Sequence, residues 1–531
     1  MAYRGYTFPM PIGIDGWSGN KNQTQIKPTQ LIQAQDITYE YGTIGKEGGC
    51  ALYSSPAIVG APAIRAGISF RYLPNVQAIT VFCDDGKVYR GSGASFTIII
   101  RSGLNAPIMA PQFVTGGKET QAAWEKLFLF SDTNMPQVLI ANLPTMADIA
   151  NPAADWSIFK PVCGCIHNNR MWAGAGHFAY YSDPSDHENF TTGGPTVTGQ
   201  IAVYPGVGDQ IVHLESFKGM LLVIKKPYGI FLVDTSNPDI TQWVVGKVSE
   251  KVGAAGPGCV VPTDNDVLVM DPAGSINQIS AVTQELPIGT FAASSITFAA
   301  TMDPFIRDNF NFAKLHTVQS VYYPIKREVH FCVPRTGSNL PNARFVVDYN
   351  RPDIARFRWS IRDICPAIWP YVDSDQVSRL MIGDTTGNIW RLDLPQRSKG
   401  TSGYYSVFQT GHEDFSAMFI GAPSVQKLAG ANKNFQFLEL VSDPRGNWNL
   451  SVDVFLDTEF QQTVQFNMGV TGVPLDVFTL DRDPLAGDAL RRKRKRITGE
   501  GRRISLAGYT SDRGQDFSVE KFLVEFTVGK E

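Results

Sequence analysis

The sequence predicts an all-β protein, a six- or seven-bladed β-propeller with an additional C-terminal β-domain. Three observations predict it: one hairpin pattern that recurs, a composition suited to short strands and turns, and a change of texture after Leu394. The template is Arg170 to Phe190, RMWAGAGHFAYYSDPSDHENF. Large and small residues alternate from Arg170 to Gly174, Ala175-Gly176 permits a tight reversal, and His177–Ser182 runs back. Alternation on both sides of a Gly turn marks a β-hairpin, and the Asp/Pro/Ser/Asn-rich tail marks a loop.

The pattern recurs from about Ala63 to Leu394. Ile79–Phe82 turns at Asp84-Asp85-Gly86 into Val88–Tyr89, and Leu127–Phe130 turns at Ser131–Asn134 into Val138–Ile140. After the template come Leu221–Ile224 with Ile230–Val233 and Val267–Met270 with Ile276–Ile279. Val321–Tyr323 with Val329–Val333 and Leu380–Ile382 with Ile389–Leu392 complete the series. The turns fall roughly every 43 to 60 residues, close to a propeller blade with some longer loops. One unit shows four strands in order: Ile211–Glu215, Met220–Ile224, Gly229–Asp234 and Thr241–Gly246. A lone sheet of that size leaves two edges and an apolar face in water; radial packing buries the faces. Seven hairpins give six or seven blades, depending on how the ring closes. Two stacked β-sandwiches are the competing architecture, and the regular period counts against them.

Composition agrees. The chain of 531 residues holds 49 Gly and 33 Pro, and only 18% of it is charged, which favours strands joined by turns over helices. Lys and Arg (47) nearly balance Asp and Glu (50), so nucleic-acid contact would have to be local. Seven scattered cysteines argue against a disulfide framework and for folding in a reducing cytoplasm. The start, MAYRGYTFPMPIGIDGW, lacks the basic and apolar regions of a secretory signal, and the apolar run ending at Ile100 is only strand-length. A soluble protein without a membrane span, made inside a cell, is expected.

Residues 1–62 read as an N-terminal arm packed on the C-terminal domain. Pro9, Pro11, Gly13, Gly16 and Gly19 break it up, Gln30–Ala34 offers a turn of helix, and Ile37–Tyr41 a short strand. Without periodic apolar spacing the arm has no core of its own. The propeller takes residues 63–396, and a polar linker from Pro395 to Gly403 leads to a separate C-terminal β-domain, residues 397–531. There Tyr404–Gln409, Phe435–Val441, Leu450–Leu456, Thr463–Phe466, Arg503–Ala507 and Phe517–Val528 read as strands.

Three constellations carry possible chemistry. Cys163, Cys165 and His167 share one face of a strand and can begin a zinc site, but a fourth ligand at matching spacing is missing and packing is favoured. Asp183, Asp186 and Glu188 flank His187; such carboxylates serve glycosidases or hold calcium, yet Asp-Pro-Ser-Asp is first of all a turn. With no nucleophile elbow, phosphate-binding loop or Cys-x-x-Cys, no catalytic, cofactor or metal residue is assigned, and the chain is not expected to be an enzyme. The sharpest charge feature is Arg491, Arg492, Lys493, Arg494, Lys495 and Arg496, reinforced by Arg502 and Arg503. Such a run docks an acidic partner or a second copy, grips phosphates without reading sequence, or protects a sheet edge. Partner or self-assembly contact is the favoured reading.

The segment NNRMWAGAGHFAYYSDPSDHENF resembles a blade of the tail hub or nozzle proteins, also called tail stabilisation proteins, of short-tailed bacteriophages. QLIQAQDITYEYGTIGKEGG is similar to their N-terminal segment, and RRKRKRITGEGRRISLAGYT with the final apolar strand is similar to their C-terminal part. The resemblance implies a structural virion protein, without catalytic residues or cofactors. It implies a ring, usually a hexamer, below the portal and its adaptor protein, touching tail fibre or needle proteins. Double-stranded DNA would pass through the channel without sequence recognition, held until ejection. A carbohydrate-binding propeller or glycoside hydrolase is the alternative, and it predicts a role for Asp183 or Asp186.

Overall fold

The computed structural model describes residues 5–10, 12–40, 42–73, 76–116, 126–140, 143–191, 197–264, 266–279, 295–297, 300–349, 356–362, 364–372, 377–415, 430–469 and 492–528. The chain is mostly β, built from many small sheets, and Asp303–Asn309 is the one α-helix among the described residues. It divides into two compact units: residues 1–51, 346–362 and 393–531 form one, and residues 52–345 and 363–392 the other.

The larger unit is a succession of antiparallel meanders. Ile64–Leu73, Val76–Cys83, Val88–Ser92 and Ser95–Arg101 make the first sheet. Gln112–Thr115, Lys126–Ser131, Asn134–Ile140 and Ala147–Asp148 make the second. The template hairpin forms the middle of the third, Cys163–His167, Arg170–Ala175, Phe178–Tyr181 and Gly199–Ala202. Its reversal lies one residue later than the alternation suggests, at Gly176, whose φ of +56° favours glycine. Gln210–Phe217, Met220–Lys226, Ile230–Asp234 and Val244–Ser249 follow, then Val260–Pro262, Val267–Met270, Ile276–Ile279 and Ser295–Thr297. Gln319–Tyr323 pairs with Glu328–Val333, and Ala367–Val372 pairs with Ser378–Gly383, which pairs in turn with Ile389–Leu394.

The first strands of these sheets neighbour one another in a closed cycle. Gln112–Thr115 lies against both Ile64–Leu73 and Cys163–His167, and the latter against Gln210–Phe217. The short 3₁₀ turn Pro257–Cys259 connects Gln210–Phe217 to the next sheet, and Gln319–Tyr323 and Ala367–Val372 lead back to Ile64–Leu73. The last sheet is completed by chain from before the first: the Tyr53 and Ser54 amides donate to Ile389 O at 2.8 and 3.3 Å. The cores sit between consecutive sheets. Phe70, Phe82, Leu127 and Leu129 lie between the first and second; Phe130, Trp156, Met171 and Tyr180 between the second and third. Trp172, Ile211, Leu221 and Phe231 fill the next layer, and Ile64, Val81, Trp369 and Met381 join the last sheet to the first. Inner strands therefore bury both faces, which is why Leu221–Ile224 and Ile230–Val233 read as unbroken apolar runs. Close approach of the layers also explains the small residues of the template. A Cβ on Gly174 would lie 2.7 Å from Ile211 and 2.8 Å from Cys163.

In the smaller unit two sheets pack face to face. One orders Ile37–Glu40, Thr43–Lys46, Ser518–Val528, Lys433–Ser442 and Arg492–Gly501, with Gly5–Met10 also on Ser518–Val528. The other places Leu31–Gln35 beside Ser406–Thr410, followed by Ile504–Thr510, Asn449–Leu456 and Glu459–Asn467. Phe408 and Phe466 from the second sheet meet Phe517 and Phe522 at ring distances between 5.7 and 6.5 Å. The N-terminal segment is thus woven into strands from the far end of the chain. In place of the expected turn of helix over Gln30–Ala34, a strand begins at Leu31, since pairing of Leu31–Gln35 with Ser406–Thr410 overrides the weak local preference. The polar stretch after Leu394 is pinned as well: the Cys50 amide donates to Ser398 O and the Gly400 amide to Cys50 O.

Buried ions tie these segments together. Arg362 lies between Asp36 (3.5 Å) and Glu47 (3.2 Å), Arg358 reaches Glu47 at 3.3 Å, and Arg356 reaches Asp348 at 2.6 Å. Ser360 donates to Asp36 at 2.6 Å, and Arg362 and Lys46 lie over the Tyr404 ring. Residues 346–362, which the hairpin period assigns to the propeller, belong with this unit because these contacts hold them there.

Candidate functional site

The cysteine–histidine group is structural. Cys163 and Cys165 are buried in the layer between the third and fourth sheets, and burial pushes both thiols well above their ordinary range. Thiolate ligands are disfavoured there. His167 Nδ1 lies 2.8 Å from Ser216 Oγ and Nε2 lies 2.7 Å from Thr235 Oγ1, so both ring nitrogens are engaged. Among the described residues no group of three or more His, Cys, Asp or Glu is placed to hold a metal. Burial holds His167 below its ordinary value of 6.5. The unfolded chain therefore takes up the proton first, and His167 stability is expected to be lost as pH falls below about 6.5. Urea unfolding from pH 7 to 5 should show a shallower acid loss in His167→Gln than in the native chain; equal slopes would remove His167 as the cause.

The acidic loop is likewise engaged. Lys126, buried in the second sheet, pairs with Glu188 at 2.8 Å and Asp186 at 3.5 Å. Asp183 Oδ1 accepts from the Ser185 amide and hydroxyl, both at 2.7 Å. Partial burial raises the Asp183 carboxyl, but the Ser185 hydrogen bonds outweigh it and hold the group below its ordinary value. His187 Nε2 donates to Asn169 O at 3.1 Å. These groups lock a turn onto the neighbouring sheet.

The basic run is an edge strand, which the strand assignment from sequence omitted because charge masks its period. Arg492–Gly501 pairs with Lys433–Ser442 on one side, and no sheet partner is found on the other among the described residues. The charges are not equivalent. Arg492 lies 3.8 Å from Glu439, Arg494 lies 2.5 Å from Glu525 and 3.9 Å above the Phe437 ring, and Lys493 donates to the Asn467 and Gly469 carbonyls. Lys495 and Arg496 are exposed and carry no such pairing among the described residues. The backbone amides of Arg502 and Arg503 are fixed by Asp457. Arg491 lies outside the described residues. Carboxylates of the same chain thus pair with Arg492 and Arg494, while among the described residues Lys495, Arg496 and the exposed Arg502 side chain show no such pairing.

One feature escaped the sequence. The first strands of the larger unit line a cavity of about 300 Å³, with Gln112, His213, Glu215, Gln319, Ser320 and Trp369 among its walls. Gln319 donates to Arg65 O and Pro111 O, and Ser320 donates to Gly258 O at 2.6 Å, which fixes the polar wall. His213 and Glu215 sit two residues apart on Gln210–Phe217, hence on one face. The signal was present as alternation in a first strand, but only the closed cycle tells which face points inward.

No family model and no curated protein matches the chain. Solved structures similar in part include the WD40 beta propeller domain of Doa1, 8% identical, covering 65% of this chain and 96% of that one, with a TM-score of 0.39. BBS1N, solved in complex with ARL6DN, is 10% identical over 65% of this chain and 97% of that one, with a TM-score of 0.41. YCF48 bound to D1 peptide is 9% identical over 68% and 97%, with a TM-score of 0.38.

Proposed function

We propose that this chain is a structural virion protein, the tail hub or nozzle subunit of a short-tailed bacteriophage, and not an enzyme. In this reading the larger unit is a seven-bladed β-propeller, each first strand being the innermost of its blade, and the smaller unit is the assembly platform. Copies form a ring, a hexamer in the family it resembles, below the portal and adaptor. Tail fibre or needle proteins attach there, and double-stranded DNA passes without being read. The sequence resemblance motivates the role, and the observation that carries it is the edge strand Arg492–Gly501, with Lys495 and Arg496 exposed and unpaired among the described residues. A strand with an open edge and free cations suits a specific neighbour while resisting indiscriminate edge pairing.

Electron microscopy and mass photometry of the purified full chain, alone and with its portal and adaptor, test the reading. Closed rings are expected, and a monomer under all these conditions would overturn it. The double variant Lys495→Gln/Arg496→Gln tests the surface. Exposed substitutions of this kind typically shift stability by no more than about 0.5 kcal/mol, so the monomer should fold normally and fail to assemble. Unimpaired rings would reject that contact.

A further inference from the structure

We propose that the cavity lined by the first strands of the larger unit is a binding site for an organic cation, an ammonium or guanidinium group on an apolar stem. The pair His213 and Glu215 carries the argument. His213 is buried, and its Nδ1 lies 3.1 Å from Pro257 O, an oxygen that can only accept, so Nδ1 bears the proton. In the neutral imidazole Nε2 is then an acceptor. Among the described residues it has no hydrogen-bond partner, and it faces Glu215 Oε2 at 3.6 Å, where a protonated ring would pair with the carboxylate and a neutral one leaves two acceptors side by side. A buried polar atom left in this way is costly, and a cation with several N–H groups would satisfy both at once.

The rest of the wall fits the same ligand. Glu215 is the one carboxylate among the described lining residues, and no Lys or Arg lies among them. Trp369, Phe113 and the ring carbons of Pro111, Pro257 and Pro370 offer an apolar surface to a methylene stem. Gln112 is already used, its Oε1 accepting from the Gly164 amide at 3.2 Å, and Ser320 and Gln319 are held by carbonyls. The polar wall is therefore fixed before a ligand arrives, which lowers the ordering cost of binding. A volume of about 300 Å³ is small for a drug-sized molecule and sufficient for one long side chain or a short diamine. His213 and Glu215 supply two protein ligands, fewer than a metal ion takes, which argues against a metal as the occupant. This inference does not depend on the tail-hub reading, since it uses only groups inside one unit.

Calorimetric titration of the full chain at pH 7.5 tests it, with three probes: Nα-acetyl-arginine N-methylamide, its neutral citrulline counterpart, and agmatine. Saturable binding of a cationic probe is expected, with citrulline weaker by at least about tenfold, the effect of removing a charged hydrogen-bonding partner. Glu215→Gln should lose cation binding by a similar factor, while Glu250→Gln, an exposed carboxylate absent from the lining, should bind as the native chain does. The arginine–citrulline comparison needs no variant, so the test stands even if Glu215→Gln fails to fold. Binding of the arginine derivative without agmatine would identify the side chain of a partner polypeptide as the source. Agmatine alone would identify a free polyamine. Equal binding of arginine and citrulline, no saturable binding of either cation, or tight binding of zinc in their place would overturn the proposal.

Discussion

Replacing Arg362 by methionine is expected to cost the smaller unit about 3–5 kcal/mol, the range found when one partner of a buried ion pair is removed. Arg362 stands between Asp36 and Glu47, its Nη2 donates to Gly48 O at 2.7 Å, and its guanidinium covers the Tyr404 ring. The side chain is only 5% exposed and its two carboxylate partners 1% and 6%. Methionine would leave two buried negative charges with less compensation. Arg362→Lys keeps the charge but loses the planar fork that spans both carboxylates, so an intermediate loss is expected. Hydrogen exchange read on Leu31–Gln35 and Ser406–Thr410, together with the melting temperature, measures the effect. If both variants exchange like the native protein, the ion cluster does not hold the N-terminal segment in place.

Trp172→Ala should be of comparable size, about 3–5 kcal/mol, the usual cost of truncating a buried Trp. Trp172 is fully buried between the third and fourth sheets, with ring centroids 5.3 Å from Tyr181 and 5.5 Å from Trp243. Its Nε1 donates to His167 O at 3.2 Å. Truncation opens a cavity and removes that donor, beside the His167 contacts to Ser216 and Thr235. Trp172→Phe restores much of the volume but not the donor and should recover part of the loss. Calorimetry of the full chain reads both. A shift of less than about 1 °C in either variant, against the 2–4 °C per kcal/mol expected for large domains, would mean that the layer repacks around the gap.

The hairpins were legible because each is a local event: a Gly or Asp turn, with apolar strands whose partners are a few residues away. Leu221–Ile224 with Ile230–Val233 and Val267–Met270 with Ile276–Ile279 needed no distant information. The basic run was legible as charge. Its state was not, because pairing of Arg494 with Glu525 and of Arg492 with Glu439 joins strands far apart in the chain. The same holds for Lys126, an unremarked residue in sequence that turns the acidic loop from a candidate site into a lock.

By itself the sequence determined the repeating unit and the all-β character, since turn chemistry and strand period are written residue by residue. Tertiary structure decided how the last sheet is completed, with Tyr53 and Ser54 donating to Ile389, and which strands neighbour Leu31–Gln35 and Gly5–Met10. It also decided that His213 and Glu215 face a cavity, and that Arg492 and Arg494 pair with carboxylates while Lys495 and Arg496 have no such partner among the described residues. The physical reason is common to all of these. Backbone hydrogen bonds and ion pairs between remote segments depend on where the chain returns, and local preference carries no record of that.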